Sequence, residues 1–118
     1  MGRVLVLVDD LFFRAKVVET ARLAGVDLAC FATPEDLVDE ARAHPPALVI
    51  VDLNATHDPF PAIEALAPGN SMPLVAFLSH VQTELAERAR RAGCTGVMPR
   101  SKFSQELPAI LARAKLAP

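Results

Sequence analysis

Acidic side chains stand where two apolar runs stop. Val4-Leu-Val-Leu-Val8 ends in Asp9-Asp10, and Ala47-Leu-Val-Ile-Val51 ends in Asp52. A third run, Leu74 to Leu78, gives way to Ser79-His80, and the short Gly96-Val97-Met98 leads into Arg100. Carboxylates packed together repel, so such a group needs a cation or a bound proton. Mg2+ is suited to it: a hard ion that prefers oxygen and accepts a few protein ligands plus water and phosphate oxygens. Once the charge is neutralised, one carboxylate can attack phosphorus as a nucleophile. The incoming phosphoryl group then needs a fixed positive charge and a hydroxyl beside its oxygens. Arg100 and Ser79 have that chemistry.

Bringing these residues together requires strands whose C-terminal ends share one edge. The runs at Val4–Val8, Ala47–Val51 and Leu74–Leu78 are continuously apolar, as strands covered on both faces must be. Val26 to Ala32 partly alternates, which suits an edge strand, and Gly96 to Met98 is a fifth, short candidate. Helical patterns lie between them. Leu11 to Ala24 places Phe13, Val17 and Ala21 on one face and stops at Gly25. Thr33-Pro34-Glu35-Asp36 is a helix start, with a cap, a proline in the first turn and acidic residues behind it. Asp58-Pro59 opens a short helix through Leu66, Gln82 to Ala92 forms another that ends at Gly93, and Ser104 caps the last, with Leu107, Ile110, Leu111 and Ala114 facing inward. Strand and helix thus alternate over residues 1–118 as one domain. The predicted class is α/β, a three-layer (βα)5 flavodoxin-like arrangement with a parallel five-stranded sheet in the order 2-1-3-4-5. In that order the first and third strands are neighbours at the point where strand order reverses, where ligands of open parallel sheets bind.

Composition narrows the function. With 12 basic and 14 acidic residues the net charge is −2, against the basic excess of a domain that grips a nucleic-acid backbone. Arg88, Arg90 and Arg91 form the only basic cluster, and a helix spreads them over a wide, solvated arc. The apolar run at Val4–Val8 is too short for a signal-peptide core or a membrane span, so a cytoplasmic location is expected, with no membrane or direct nucleic-acid partner. Cys30 and Cys94 have no metal-ligand spacing and read as inert thiols of a reducing compartment. His44, His57 and His80 likewise show no ligand spacing. Phe12, next to the inward Phe13, is left unplaced by the pattern.

Four segments in order carry a resemblance. Val6-Leu-Val-Asp-Asp10, Pro46-Ala-Leu-Val-Ile-Val-Asp-Leu53, Pro73-Leu-Val-Ala-Phe-Leu-Ser79, and Gly93 to Arg100 followed by Phe103-Ser-Gln-Glu-Leu107 together resemble the CheY-like receiver domain of two-component response regulators. The resemblance implies that Asp52 is the phosphoacceptor. It also implies that Asp9, Asp10, Asp52 and the backbone carbonyl of Asn54 hold Mg2+, that Ser79 is the switch hydroxyl, and that Arg100 stands in place of the family lysine. It implies a sensor histidine kinase or phosphotransfer protein as donor, a downstream protein target, a homodimer through the fourth and fifth helices, and no enzymatic activity beyond self-phosphorylation and dephosphorylation.

The chain departs from that family at three places. Arg100 (or Lys102 swinging in) replaces the lysine, and a planar fork is not equivalent to a flexible ammonium. Asn54-Ala-Thr-His-Asp-Pro59 replaces the usual loop after the phosphoacceptor, and Val97 stands at the switch aromatic. These favour an alternative, a phosphorylation-independent pseudo-receiver acting as a protein-interaction module. Plainer roles also stand beside each residue: Asp9-Asp10 as helix cap, Asp52 as loop residue, Ser79 as turn residue and Arg100 as surface cation. A nucleotide binder is disfavoured because no glycine-rich loop follows the first strand.

Overall fold

Valine and leucine alternate along the first run, and a strand sends alternate side chains to opposite faces. Val4, Val6 and Val8 pack with Phe13, Val17 and Leu107, whereas Leu5 and Leu7 pack with Leu37, Ala41 and Ile63. Such a strand is stable only if covered on both sides. The computed structural model, which describes residues 2–69, 72–79 and 82–116, supplies that cover. Its elements are β1 (Val4–Leu7), α1 (Leu11–Ala24), β2 (Leu28–Phe31), α2 (Pro34–Ala43), β3 (Leu48–Asp52), α3 (Phe60–Leu66), β4 (Leu74–Leu78), α4 (Thr83–Ala92), β5 (Gly96–Pro99) and α5 (Arg100–Lys115). The strands form one five-stranded parallel sheet in the order β2-β1-β3-β4-β5, as expected. Helices α1 and α5 cover one face, and α2, α3 and α4 cover the other.

Local chemistry fixes the boundaries. Helix α1 ends at Gly25, whose φ of 69° is the left-handed cap that glycine adopts without strain. The Thr33 side chain accepts from the Asp36 amide at the start of α2, with Pro34 in the first turn. The last helix corrects the sequence expectation. It starts at Arg100 rather than beyond a Ser104 cap, so Ser104 lies inside it. Pro99 closes β5 with φ −62° and the chain turns directly into α5. The extra turn is held by Phe103, fully buried, which extends the inward ridge of Leu107, Ile110, Leu111 and Ala114 towards the N-terminus. Pro108 sits on the exposed side of that helix, where its missing N–H removes one intrahelical bond.

Candidate functional site

The period of a strand places Leu48, Ile50 and Asp52 on one face of β3, the face covered by α1 and α5. Asp52 is therefore carried into the structure by its neighbours' burial. It is 2% exposed and, among the described residues, the one buried side chain of polar or charged type. One carboxylate oxygen, Oδ1, accepts from the Asn54 amide at 2.8 Å. The other, Oδ2, lies 3.8 Å from a terminal nitrogen of Arg100.

Asp10 serves two purposes. Its Oδ1 accepts from the Phe12 and Phe13 amides at 3.0 and 3.1 Å, which caps α1. Its Oδ2 accepts from Arg100 Nη1 at 3.2 Å. Asp9 faces the loop after β3, where its Oδ2 accepts from the Thr56 amide at 2.7 Å. Arg100, the first residue of α5, thus bridges the ends of β1 and β3. Its guanidinium lies 4.6 Å from the Phe13 ring centroid and 5.8 Å from that of Phe77. Lys102 does not swing in: it pairs with Glu106 one turn along α5.

Electrostatics separate the three carboxyls. Burial raises the Asp52 pKa above the ordinary carboxylate value, the Asn54 amide and Arg100 pull it back, and the charges of Asp9 and Asp10 add to the rise. The bond from Thr56 lowers Asp9, and the Phe13 amide followed by Arg100 lowers Asp10. A raised acid destabilises the fold at pH values above its folded pKa, and the penalty disappears once the pH falls below its unfolded pKa. Asp52→Asn, which keeps an acceptor for the Asn54 amide, is therefore expected to raise Tm at about pH 7 by roughly 4 °C. Melts repeated towards about pH 4 should show that gain shrinking as Asp52 in the parent takes up its proton. An equal or larger gain in acid would contradict the assignment of the raised group.

Ser79 directly follows β4 and is exposed, with its amide donating to Asn54 Oδ1 at 2.7 Å. The other end of the Asn54 side chain donates to Gln82 Oε1 at 3.0 Å. Asn54 therefore ties the loop after β3 to both sides of the loop after β4, a role the sequence does not reveal because the partners are 25 and 28 residues away. Arg88 is exposed, as expected, and its guanidinium also lies over the Phe60 ring at 3.7 Å, linking α4 to α3. Phe12 is 92% exposed on the first turn of α1, beside the site. Val97 is half-buried on β5 and lines a cleft with Leu78, Ala86 and Pro99. Cys94 is buried, which pushes its thiol up to about 11. His44 and His57 are exposed, and His80 falls outside the described residues.

The donors are the hard oxygens Mg2+ prefers, but their arrangement does not suit the ion. Both oxygens of Asp10 are engaged, and each of Asp9 and Asp52 has one oxygen committed to a loop amide. Among the described residues no three His, Cys, Asp or Glu side chains are grouped so as to hold a metal ion. The cation that meets Asp10 and Asp52 is Arg100.

Comparison with known proteins places this fold. No family model matches the chain. The transcriptional regulatory protein PdtaR of Mycobacterium tuberculosis is 31% identical over 111 residues, which is 92% of this chain and 54% of PdtaR. The chain thus spans about half the length of the curated relatives it matches. The receiver domain of NtrX from Brucella abortus superposes with a TM-score of 0.79 at 18% identity, covering 97% of this chain and 99% of that one. A CheY-like response regulator receiver domain protein from Methanospirillum hungatei gives a TM-score of 0.79 at 13% identity, covering 98% and 97%. The chain thus has the CheY-like fold seen in response-regulator receiver domains. The described residues contain no helix long and apolar enough to cross a membrane.

Proposed function

We propose that this domain is a signalling receiver whose chemical centre is Asp52, and that Asp52 accepts a phosphoryl group from a phosphohistidine of a sensor kinase or phosphotransfer protein. The observation that carries this is a single buried carboxylate at the C-terminal end of a central strand, with Oδ1 pinned by a backbone amide and Oδ2 directed to a fixed cation. In the transfer, Asp52 Oδ2 forms a bond to phosphorus as the phosphorus–nitrogen bond of the donor breaks, and the imidazole departs with its electron pair. Arg100 carries the charge that the transferred oxygens need. Ser79, whose backbone is held by Asn54, is the hydroxyl placed at the neighbouring strand end. Mg2+, implied by the family resemblance, has no prepared ligand set here, and no step in this reading passes through it. The output is a change in protein contacts with a downstream target, with self-association through α4 and α5 as one form of it.

A second reading is favoured by one observation. The bridge from Arg100 already pairs both Asp10 and Asp52 with a cation of the chain itself, as a module that binds partners without phosphorylation would need.

Incubation with acetyl phosphate, with and without Mg2+, followed by intact-mass analysis, separates the two. One added phosphoryl group in the parent chain, absent from Asp52→Asn, is the expected result. An unmodified parent under both conditions, together with unchanged NMR spectra in beryllium fluoride, would leave the binding module.

A further inference from the structure

We infer that Arg100 is the resident cation of this pocket and that it keeps divalent ions off Asp10 and Asp52. The claim concerns the resting pocket and does not depend on whether Asp52 is ever phosphorylated.

Occupancy comes first. Arg100 Nη1 lies 3.2 Å from Asp10 Oδ2 and its other terminal nitrogen 3.8 Å from Asp52 Oδ2. These are the oxygens not already used by loop and helix amides on the same two residues. A divalent ion such as Mg2+ requires oxygens at about 2.0–2.1 Å in near-octahedral array. It would have to take oxygens now facing the guanidinium and then sit a few ångströms from a like charge with little water between them.

Permanence comes second, and here the residue type matters. A lysine at this position would bring a compact charge on a flexible stem, which can swing aside while remaining near the carboxylates. Arg100 is stacked as well as paired. Its guanidinium lies against Phe13, and Phe13 is itself held 5.0 Å from Phe77 and 6.0 Å from Phe103, centroid to centroid. Its Nε is buried with no hydrogen-bond partner among the described residues. A planar cation tolerates that orphaned donor only where its remaining contacts outweigh the cost. Withdrawal of Arg100 would surrender two ion pairs and the ring contact together, so an entering metal faces a competitor tethered to the fold.

The test uses the intact chain, with Mg2+ alone as the ligand and no phosphoryl donor. Amide NMR spectra would be followed to about 20 mM MgCl2 in the parent, Arg100→Lys and Arg100→Ala, at constant ionic strength. The parent should show no saturable shifts at the amides of residues 9–13 and 52–56. Arg100→Ala should show saturable shifts there and bind at least about tenfold more tightly than the parent, with Arg100→Lys between them. Saturation of the parent at or below about 1 mM overturns the inference. So does a chain that stays silent in all three forms, because the arginine would then not be what excludes the ion. If Arg100→Ala loses its dispersed spectrum, Arg100→Lys decides alone: saturable binding supports the inference and its absence overturns it.

Discussion

Phe103→Ala is expected to cost about 3–5 kcal/mol of folding stability, equivalent to a fall in Tm of roughly 12–20 °C for a chain of this length. Phe103 is fully buried and stacks on Phe77 with centroids 4.6 Å apart and planes 18° apart. Phe13 tilts against both rings, so one aromatic cluster joins α1, β4 and α5. The chain has six Phe and no Tyr or Trp, and three of the six are spent here. Truncation removes both transfer free energy and packing, and the space left behind lies under the platform on which Arg100 stands. Phe103→Leu fills most of that space and should cost about 1–2 kcal/mol. Urea unfolding with an unchanged slope would measure both. A loss below about 1 kcal/mol for the alanine variant would show that the stack does not hold α5 to the sheet.

The fold was legible because its signals are local. Leu11–Ala24 was read with the observed bounds, since Phe13, Val17 and Ala21 repeat at helical spacing and Gly25 supplies the stop. Leu74–Leu78 likewise coincides with β4. Regular alternation of strand and helix then leaves few topologies, and the order 2-1-3-4-5 is among them. The pair Phe12-Phe13 marks the limit of such reading. Adjacent helical residues point about 100° apart, so only one can face the core, and periodicity chose Phe13 without saying where Phe12 would lie. The site was legible as a set of residues but not as an arrangement. Asp9, Asp10, Asp52, Ser79 and Arg100 do gather at the C-terminal strand ends, yet which oxygen meets which donor depends on packing between distant segments. Arg100 and Phe13, 87 positions apart in the sequence, have no local signal of their contact. The same holds for Asn54 with Gln82 and for Arg88 with Phe60. Ser104 failed as a cap for a related reason: a good capping residue was visible, but the burial of Phe103 that extends the helix past it is a tertiary effect.

Gly93→Ala is expected to destabilise the domain by about 2–4 kcal/mol, a fall in Tm of roughly 8–16 °C. Two independent costs meet at this residue. Its φ of 116° ends α4 in a conformation that side chains resist, and its amide donates to Ala89 and Arg90 to close the helix. A Cβ added there would also come within 2.5 Å of the Ala67 Cβ, at the end of α3. That neighbour is a stub fixed to the backbone, with no flexible tip to move aside. Relief would require α3 and α4 to separate, against the Arg88 contact with Phe60 that draws them together. The double variant Ala67→Gly/Gly93→Ala removes the clash and leaves the backbone strain, so it should recover part of the loss, about 1–2 kcal/mol relative to the additive sum. Full additivity would mean that the helices already yield at this point. Complete recovery would mean that the left-handed turn carries no cost. Because α4 follows the loop that Asn54 ties to the Asp52 pocket, the NMR shifts of Asn54 and Gln82 in Gly93→Ala should move with the loss of stability rather than stay at parent values.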